Sequence, residues 1–292
     1  MNSTNDFKQL GNYSIAIIGL GLIGGSLAGA LKPHCNLMTG IDQSAEVLQI
    51  AKDRQLIHRG ETNLVFGVNR ADIVILATPV RTILDLLDQL GPVLSPGCLL
   101  MDVGSTKKEI VSRMTILPSH IQPLGGHPMC GKEISGVKSA DPNLFRDQTF
   151  ILTPLARTSS YALQTGKLIT QTIGAKPLII EPERHDQLVA ATSHLPYLLA
   201  CALVSTIIDQ SKQDDGVLQV AASGFRDTSR LAASDVTMML DILLTNRDQV
   251  IRQLDQFQSC LQELEILLKD QDENTLRSKL LYLNERRRKL TH

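Results

Sequence analysis

The chain has 292 residues, 43% of them hydrophobic and 3% aromatic, with no Trp and a formal net charge of −1. That length suits two domains or one large one with a sizeable core. The charge balance and scarcity of aromatic rings exclude a basic or base-stacking surface, so no nucleic-acid partner is expected. Five cysteines, Cys35, Cys98, Cys130, Cys201 and Cys260, are widely spaced without a C-x-x-C pair, which argues for free thiols in a reducing compartment and against a disulfide frame or a metal site.

Met1 to Tyr13 is polar and carries Asp6, unlike a secretory leader. The apolar strand Ser14 to Ile18 then runs into Gly19-Leu20-Gly21-Leu22-Ile23-Gly24 and small, helix-compatible residues. In this dinucleotide fingerprint the first glycine makes the tight turn. The second lets backbone approach a pyrophosphate, and the third lets helix pack on strand. A structural turn is the plainer alternative. A second strand, Leu37 to Asp42, ends on an acid 18 positions beyond Gly24, near the spacing expected for a carboxylate that binds the adenosine ribose. Asp42 would repel a 2′-phosphate, and neither Gln43 nor Ser44 compensates, so NAD is the expected cofactor; Asp42 as a helix N-cap before Ala45 is the competing assignment.

Continuous apolar strands follow at Ala71 to Ala77 and Cys98 to Val103, each leading into a helix, as in a parallel sheet covered on both faces. Ligands gather beyond the carboxyl ends of such strands, which places Thr78, Pro79, Val80 and Ser105 beside the cofactor with Gly19, Gly21, Leu22, Ile23, Gly24 and Asp42. Gly125 to Gly131 reads as a glycine-rich loop in which His127 is placed for acid/base work, or is simply a surface polar group. Thr149 to Thr153 and Pro177 to Ile180 extend the sheet around a helix near Tyr161 to Ile173.

Beyond Glu181-Pro182 the pattern is helical only. His194 lies in an apolar helix beside Pro196, which predicts a kink there and leaves a buried core histidine as the plainer assignment. The apolar run Leu195 to Ile208 is shorter than the ~18 residues that span a bilayer, so a soluble cytoplasmic chain without a membrane partner is expected. Arg226 and Arg230, four apart, suit either an anionic substrate or a surface ion pair. Val250, Leu254, Phe257, Leu261, Leu264 and Leu268 follow heptad spacing and predict a helix seam that packs within its own subunit or, the favoured reading, against a second copy in a homodimer.

Five ordered motifs carry a resemblance: Gly19 to Gly24, Asp102-Val103-Gly104-Ser105-Thr106-Lys107, Gly126-His127-Pro128-Met129, Ser193-His194-Leu195-Pro196 and Gly224-Phe225-Arg226-Asp227-Thr228-Ser229-Arg230. From about Ser14 to Leu268 the chain resembles the prephenate/arogenate dehydrogenases of tyrosine biosynthesis. The resemblance implies an N-terminal Rossmann-type doubly wound sheet over residues 1–182 and an all-helical dimerisation and substrate domain over 183–292. It implies oxidative decarboxylation of prephenate or arogenate by hydride transfer to NAD⁺. His127 would take the C4 hydroxyl proton, Ser105 would orient His127 and the nicotinamide, and His194 would contact substrate. Arg230, with Arg226, would hold a substrate carboxylate. Lys132 replaces a small hydroxyl residue common in relatives, and Tyr197 stands where prephenate-selective relatives often have His; repulsion of an ammonium group by Lys132 would favour prephenate. A 3-hydroxyisobutyrate-type dehydrogenase, which would need a catalytic lysine in an apolar helix, and a non-catalytic NAD-binding dimer are the remaining alternatives.

Overall fold

The structure is a computed structural model and describes residues 10–131 and 134–290. Its centre is an eight-stranded sheet among the described residues, in the order β3-β2-β1-β4-β5-β6-β7-β8. The strands are β1 (Ser14–Ile18), β2 (Leu37–Ile41), β3 (Arg59–Glu61), β4 (Ile73–Leu76), β5 (Leu99–Asp102), β6 (Gln122–Pro128), β7 (Thr149–Thr153) and β8 (Lys176–Ile179). The chain winds outward from β1 to β3 and then returns to place β4 on the other side of β1. That reversal creates the crevice in which such sheets bind ligands. The helices interleaved with these strands are α1 (Leu22–Leu31), α2 (Ala45–Asp53), α3 (Leu64–Val68), α4 (Val80–Leu90), α5 (Lys108–Thr115) and α6 (Ser160–Thr172).

Side chains alternate across each strand, and in β1, β4 and β5 both faces are dry. Ile15, Ile17, Ile73, Ile75, Leu99 and Met101 enter one core cluster. Their neighbours Ala16, Ile18, Val74, Leu76 and Leu100 enter the other. This two-sided burial explains why the strands read as unbroken apolar runs.

Two strands escaped the sequence pattern. β3 is only three residues long, and β6 reads Gln-Pro-Leu-Gly-Gly-His-Pro. The expectation that Gly125 to Gly131 forms a loop is corrected here: the segment through Pro128 is strand, paired parallel to β5 and antiparallel to β7. Its glycines answer crowding. A Cβ at Gly125 would lie 2.0 Å from Thr153 Oγ1, and one at Gly126 would lie 2.5 Å from Met101 Cε and 2.8 Å from the Asp102 carbonyl oxygen. His127 is therefore held by its ladder to β7, opposite Ile151, rather than by a loop.

After the sheet come α7 (Pro182–Val189), a π-helical turn (Ala190–His194), α8 (Leu195–Ser211), α9 (Gly216–Gln219), α10 (Ser223–Ser229) and α11 (Val236–Thr245). The expected kink at Pro196 takes the form of that π turn, which absorbs the proline at the start of α8. Helix therefore continues from Pro182 to Ser211, 30 residues long and apolar enough by length and composition to cross a membrane. Counting only the run from Leu195 to Ile208 missed it.

By compactness the chain divides into Met1–Asn246 and Arg247–His292. The first unit reaches past α7 to α11 because their side chains cap helices of the sheet layer. Pro79 and Lys107 precede α4 and α5 without capping side chains of their own. Asp241 Oδ2 instead accepts from Arg81 N at 3.1 Å, and Asp186 accepts from Lys107 N and Lys108 N at 2.7 and 2.9 Å. The second unit is a hairpin of α12 (Arg247–Lys269) and α13 (Glu273–Lys289), with Asp272 capping α13 and Lys279 paired with Glu263.

The crowding at β6 is testable. Gly125→Ala should destabilise the protein by about 1–3 kcal/mol, and removing the clashing hydroxyl with Thr153→Ala in the same chain should recover part of that loss. Thermal melts in which the two substitutions act additively would contradict it.

Candidate active site

The glycine turn has the geometry its sequence implies. Gly19 takes φ +90°, a conformation that favours glycine. A Cβ on Gly24 would lie 1.9 Å from the Gly19 carbonyl oxygen, so helix and turn touch directly. Around Gly21, by contrast, nothing lies within 4 Å of an added Cβ. This open residue is also the cap of α1, without a side-chain hydrogen bond to its first amides, which leaves those N–H groups available to an anion.

Asp42 follows β2 at the same edge of the sheet. Its Oδ2 accepts from Leu20 N at 2.9 Å and its Oδ1 from Ser44 N at 3.0 Å, tying it to the glycine turn. The N-cap of α2 is Ser44, which accepts from Val47 N at 3.3 Å. The capping assignment for Asp42 therefore fails. Thr78, after β4, packs against Gly19, and its Oγ1 is buried without a hydrogen-bond partner among the described residues. Open backbone, an uncapped helix, an acid at the second strand and an orphaned hydroxyl together fit a dinucleotide.

Three strands away lies a buried polar cluster. His127 Nδ1 is 2.8 Å from His185 Nε2, and His185 Nδ1 is 2.7 Å from Asp186 Oδ1. Asn246 Nδ2 donates to the Asp186 carbonyl oxygen at 2.8 Å and to His194 Nδ1 at 3.3 Å. Beneath them Asp102 pairs with Lys107, both side chains 0% exposed. The same carboxylate accepts from Gly104 N at 2.8 Å and from Gly126 N at 3.3 Å, beside His127. A paired, hydrogen-bonded ion couple tolerates this burial, whereas a lone charge would not.

Burial shifts these groups in one sense. It pushes the Asp102 carboxyl up and the Lys107 ammonium down, each partly restored by the other. His127 is held well below the ordinary imidazole value, chiefly by burial. Burial also lowers His185, against the pull of Asp186, and takes His194 down to about 4. All three rings are neutral near pH 7, so each can accept a proton.

Other anticipated residues fall as follows. Ser105 is partly exposed on the turn after β5, while the partner of His127 Nδ1 is His185. His194 is 1% exposed. Arg226 lies on α10, and Arg230 caps that helix and opens a 3-10 turn, Arg230–Ala233, rather than sharing its helix; both are exposed. Lys132 lies outside the described residues. Lys212 is exposed and paired with Asp209 at 2.7 Å, unlike a catalytic lysine in an apolar helix. His185, Asp186 and Asn246 escaped sequence reasoning; the adjacent His-Asp pair just inside a proline-started helix was the available signal.

These shifts set a pH dependence. An unfolded chain protonates His194 near 6.5, whereas the folded chain resists until about 4. Between those values the unfolded state binds the extra proton, so stability falls as pH drops through the window, by about 3 kcal/mol from this residue. His127 and His185 act in the same direction. Thermal midpoints measured from pH 7 to 4 should fall steeply below about 6.5, and more shallowly in His194→Gln; a flat profile would contradict the assignment.

Comparison with known proteins agrees with this geometry. Residues 27–179 match the family model for the prephenate dehydrogenase nucleotide-binding domain, and residues 181–281 match that for the prephenate dehydrogenase dimerization domain. A prephenate dehydrogenase from Lactococcus lactis subsp. cremoris is 37% identical over 267 residues, covering 90% of this chain and 73% of that protein. The crystal structure of prephenate dehydrogenase from Aquifex aeolicus, in complex with hydroxyphenyl propionate and NAD⁺, superposes with TM-score 0.90 at 31% identity, over 97% of this chain and all of that one. Synechocystis arogenate dehydrogenase superposes with TM-score 0.83 at 32% identity, over 95% and 100% of the two chains. The chain belongs to the prephenate dehydrogenase family.

Proposed function

We propose that this protein is an NAD-dependent prephenate dehydrogenase: it converts prephenate to 4-hydroxyphenylpyruvate and carbon dioxide. The observation that carries the reading is His127, a neutral imidazole at the carboxyl edge of the sheet, fixed through Nδ1 by a buried partner. A ring held at one nitrogen presents the other to substrate.

The Gly19 to Gly24 turn and the N-terminus of α1 hold the pyrophosphate, and Leu22 and Ile23 line its entrance. Asp42 takes the ribose hydroxyls, and Thr78, Pro79, Val80 and Ser105 border the nicotinamide end. NAD⁺, when bound, accepts the hydride from ring C4. His127 takes the proton from the C4 hydroxyl, and Ser105 orients the nicotinamide. The bond from ring C1 to its carboxylate breaks, and its electron pair completes the aromatic ring, which makes the step irreversible. Arg230 and Arg226 supply guanidinium groups for the substrate carboxylates, His194 borders the site, and Lys132 bears on the side chain of the substrate.

Residues 1–182 serve as the nucleotide domain and 183–292 as the dimerisation and substrate domain. A homodimer is supported by apolar side chains left exposed in one copy, Ile208, Met238, Leu240 and Leu244 in the first unit and Leu261, Leu268, Leu280 and Leu281 in the second. A second copy also accounts for the long apolar helix, whose most apolar stretch is only 22% buried in a single chain. Five unpaired thiols suit a reducing cytoplasm.

Arogenate is the second reading, favoured by the likeness to an arogenate dehydrogenase and by Tyr197. The test is a spectrophotometric assay of prephenate and arogenate, each with NAD⁺ and NADP⁺. Prephenate with NAD⁺ should give the highest kcat/KM, and His127→Ala should lower kcat by about 10²-fold or more with NAD⁺ affinity little changed. No turnover of either substrate, or near-normal turnover by His127→Ala, would refute the reading.

A further inference from the structure

The proton inventory of the buried cluster leaves one arrangement. Asp186 sits at the amino end of α5, where its carboxylate accepts from the first backbone amides, Lys107 N at 2.7 Å and Lys108 N at 2.9 Å. An ionised carboxylate has acceptors only, and the uncapped helix terminus favours its negative charge. The hydrogen between Asp186 Oδ1 and His185 Nδ1, 2.7 Å apart, therefore belongs to His185. A neutral imidazole carries one such hydrogen, so His185 Nε2 has a lone pair. That nitrogen lies 2.8 Å from His127 Nδ1, which must then be the donor. His127 Nε2 is left bare.

We propose that His185 and Asp186 are positioning residues for the reaction, holding His127 in its Nδ1–H form so that Nε2 is the basic atom, and answering the positive charge when that atom is protonated. The proposal rests on His127 being the base, as argued above. In the proton-transfer step the substrate O–H bond breaks and an N–H bond forms at His127 Nε2. The hydrogen on Nδ1 stays in its bond to His185 Nε2, so no proton leaves the cluster.

Among the described residues, the titratable groups around His127 come from three places. From α7 come His185 and Asp186, from the π turn His194, and from β5 and the turn after it Asp102 and Lys107. Asp102 and Lys107 compensate each other, and burial keeps His194 uncharged. Asp186 is thus the anion that meets a new imidazolium, reached through the ring of His185. Without His185 the cation on His127 would lose the acceptor of its Nδ1–H and the ring that links it to Asp186.

A purely structural role for His185 would leave proton chemistry untouched, and this separates the two. The full-length protein, labelled with ¹⁵N at its imidazoles and saturated with NAD⁺, should show His127 with a protonated Nδ1 and a bare Nε2; the resonances are assigned by their loss in His127→Gln. His185→Gln keeps Asp186 on α5 but supplies an amide that can donate or accept. It should lower kcat by at least about tenfold, leave KM for NAD⁺ unchanged, and move the acid limb of kcat/KM to lower pH. Asp186→Asn should move that limb the same way. The Nε2–H form in the unmodified protein, or a His185→Gln enzyme with ordinary kcat and an unmoved acid limb, overturns the proposal while an inactive His127→Gln leaves the base assignment standing. An active His127→Gln overturns both.

Discussion

Two helices of the sheet layer begin without a local cap, and carboxylates from far along the chain supply what they lack. α5 starts after Lys107 and is capped by Asp186; α4 starts after Pro79 and receives Asp241 on the amide of Arg81. A helix start leaves unpaired N–H groups, and a side-chain cap contributes on the order of 1 kcal/mol. Met the long way round, this local requirement fastens α7 and α11 onto the sheet, so the nucleotide-binding layer and the helices that follow it form one compact unit to Asn246. The same bond that caps α5 sets the protonation of His185, and through it that of His127. Fold and chemistry here share an atom, Asp186 Oδ1.

The buried Asp102–Lys107 pair works on the other side of His127. It spans the turn after β5 and holds the amide of Gly126. Breaking such a pair by removing one partner typically costs about 3–5 kcal/mol, because the remaining charge stays buried. Its contribution is geometric: the turn that carries Ser105 and the strand that carries His127 are fixed to one carboxylate. Antiparallel pairing with β7 completes the clamp, since it places His127 opposite Ile151.

Much of this could be read in the residues themselves. Strands buried on both faces show as apolar runs, and the glycines at Gly19 and Gly24 are demanded by a positive φ and by direct contact, requirements that are local in the chain. β6 was not legible, because its glycines answer side chains of β5 and β7 that only folding brings near, and a Gly-Gly-His-Pro sequence has the composition of a turn. His185 and Asp186 were hidden for a related reason. Their partners lie 58 and 79 positions away, so the only local mark is their adjacency just inside a proline-started helix. The kink expected at Pro196 in the helix from Pro182 to Ser211 is met in the fold by a π turn.

The central claim is that His127 Nε2 is the atom that meets the substrate hydroxyl while Nδ1 stays bonded to His185. A crystal structure of this protein with NAD⁺ and hydroxyphenyl propionate measures it directly. The phenolic oxygen should lie about 3 Å from His127 Nε2, with the carboxylate end toward Arg226 and Arg230. A ring bound out of reach of His127, or a His127 turned so that Nδ1 faces the ligand, would contradict the account.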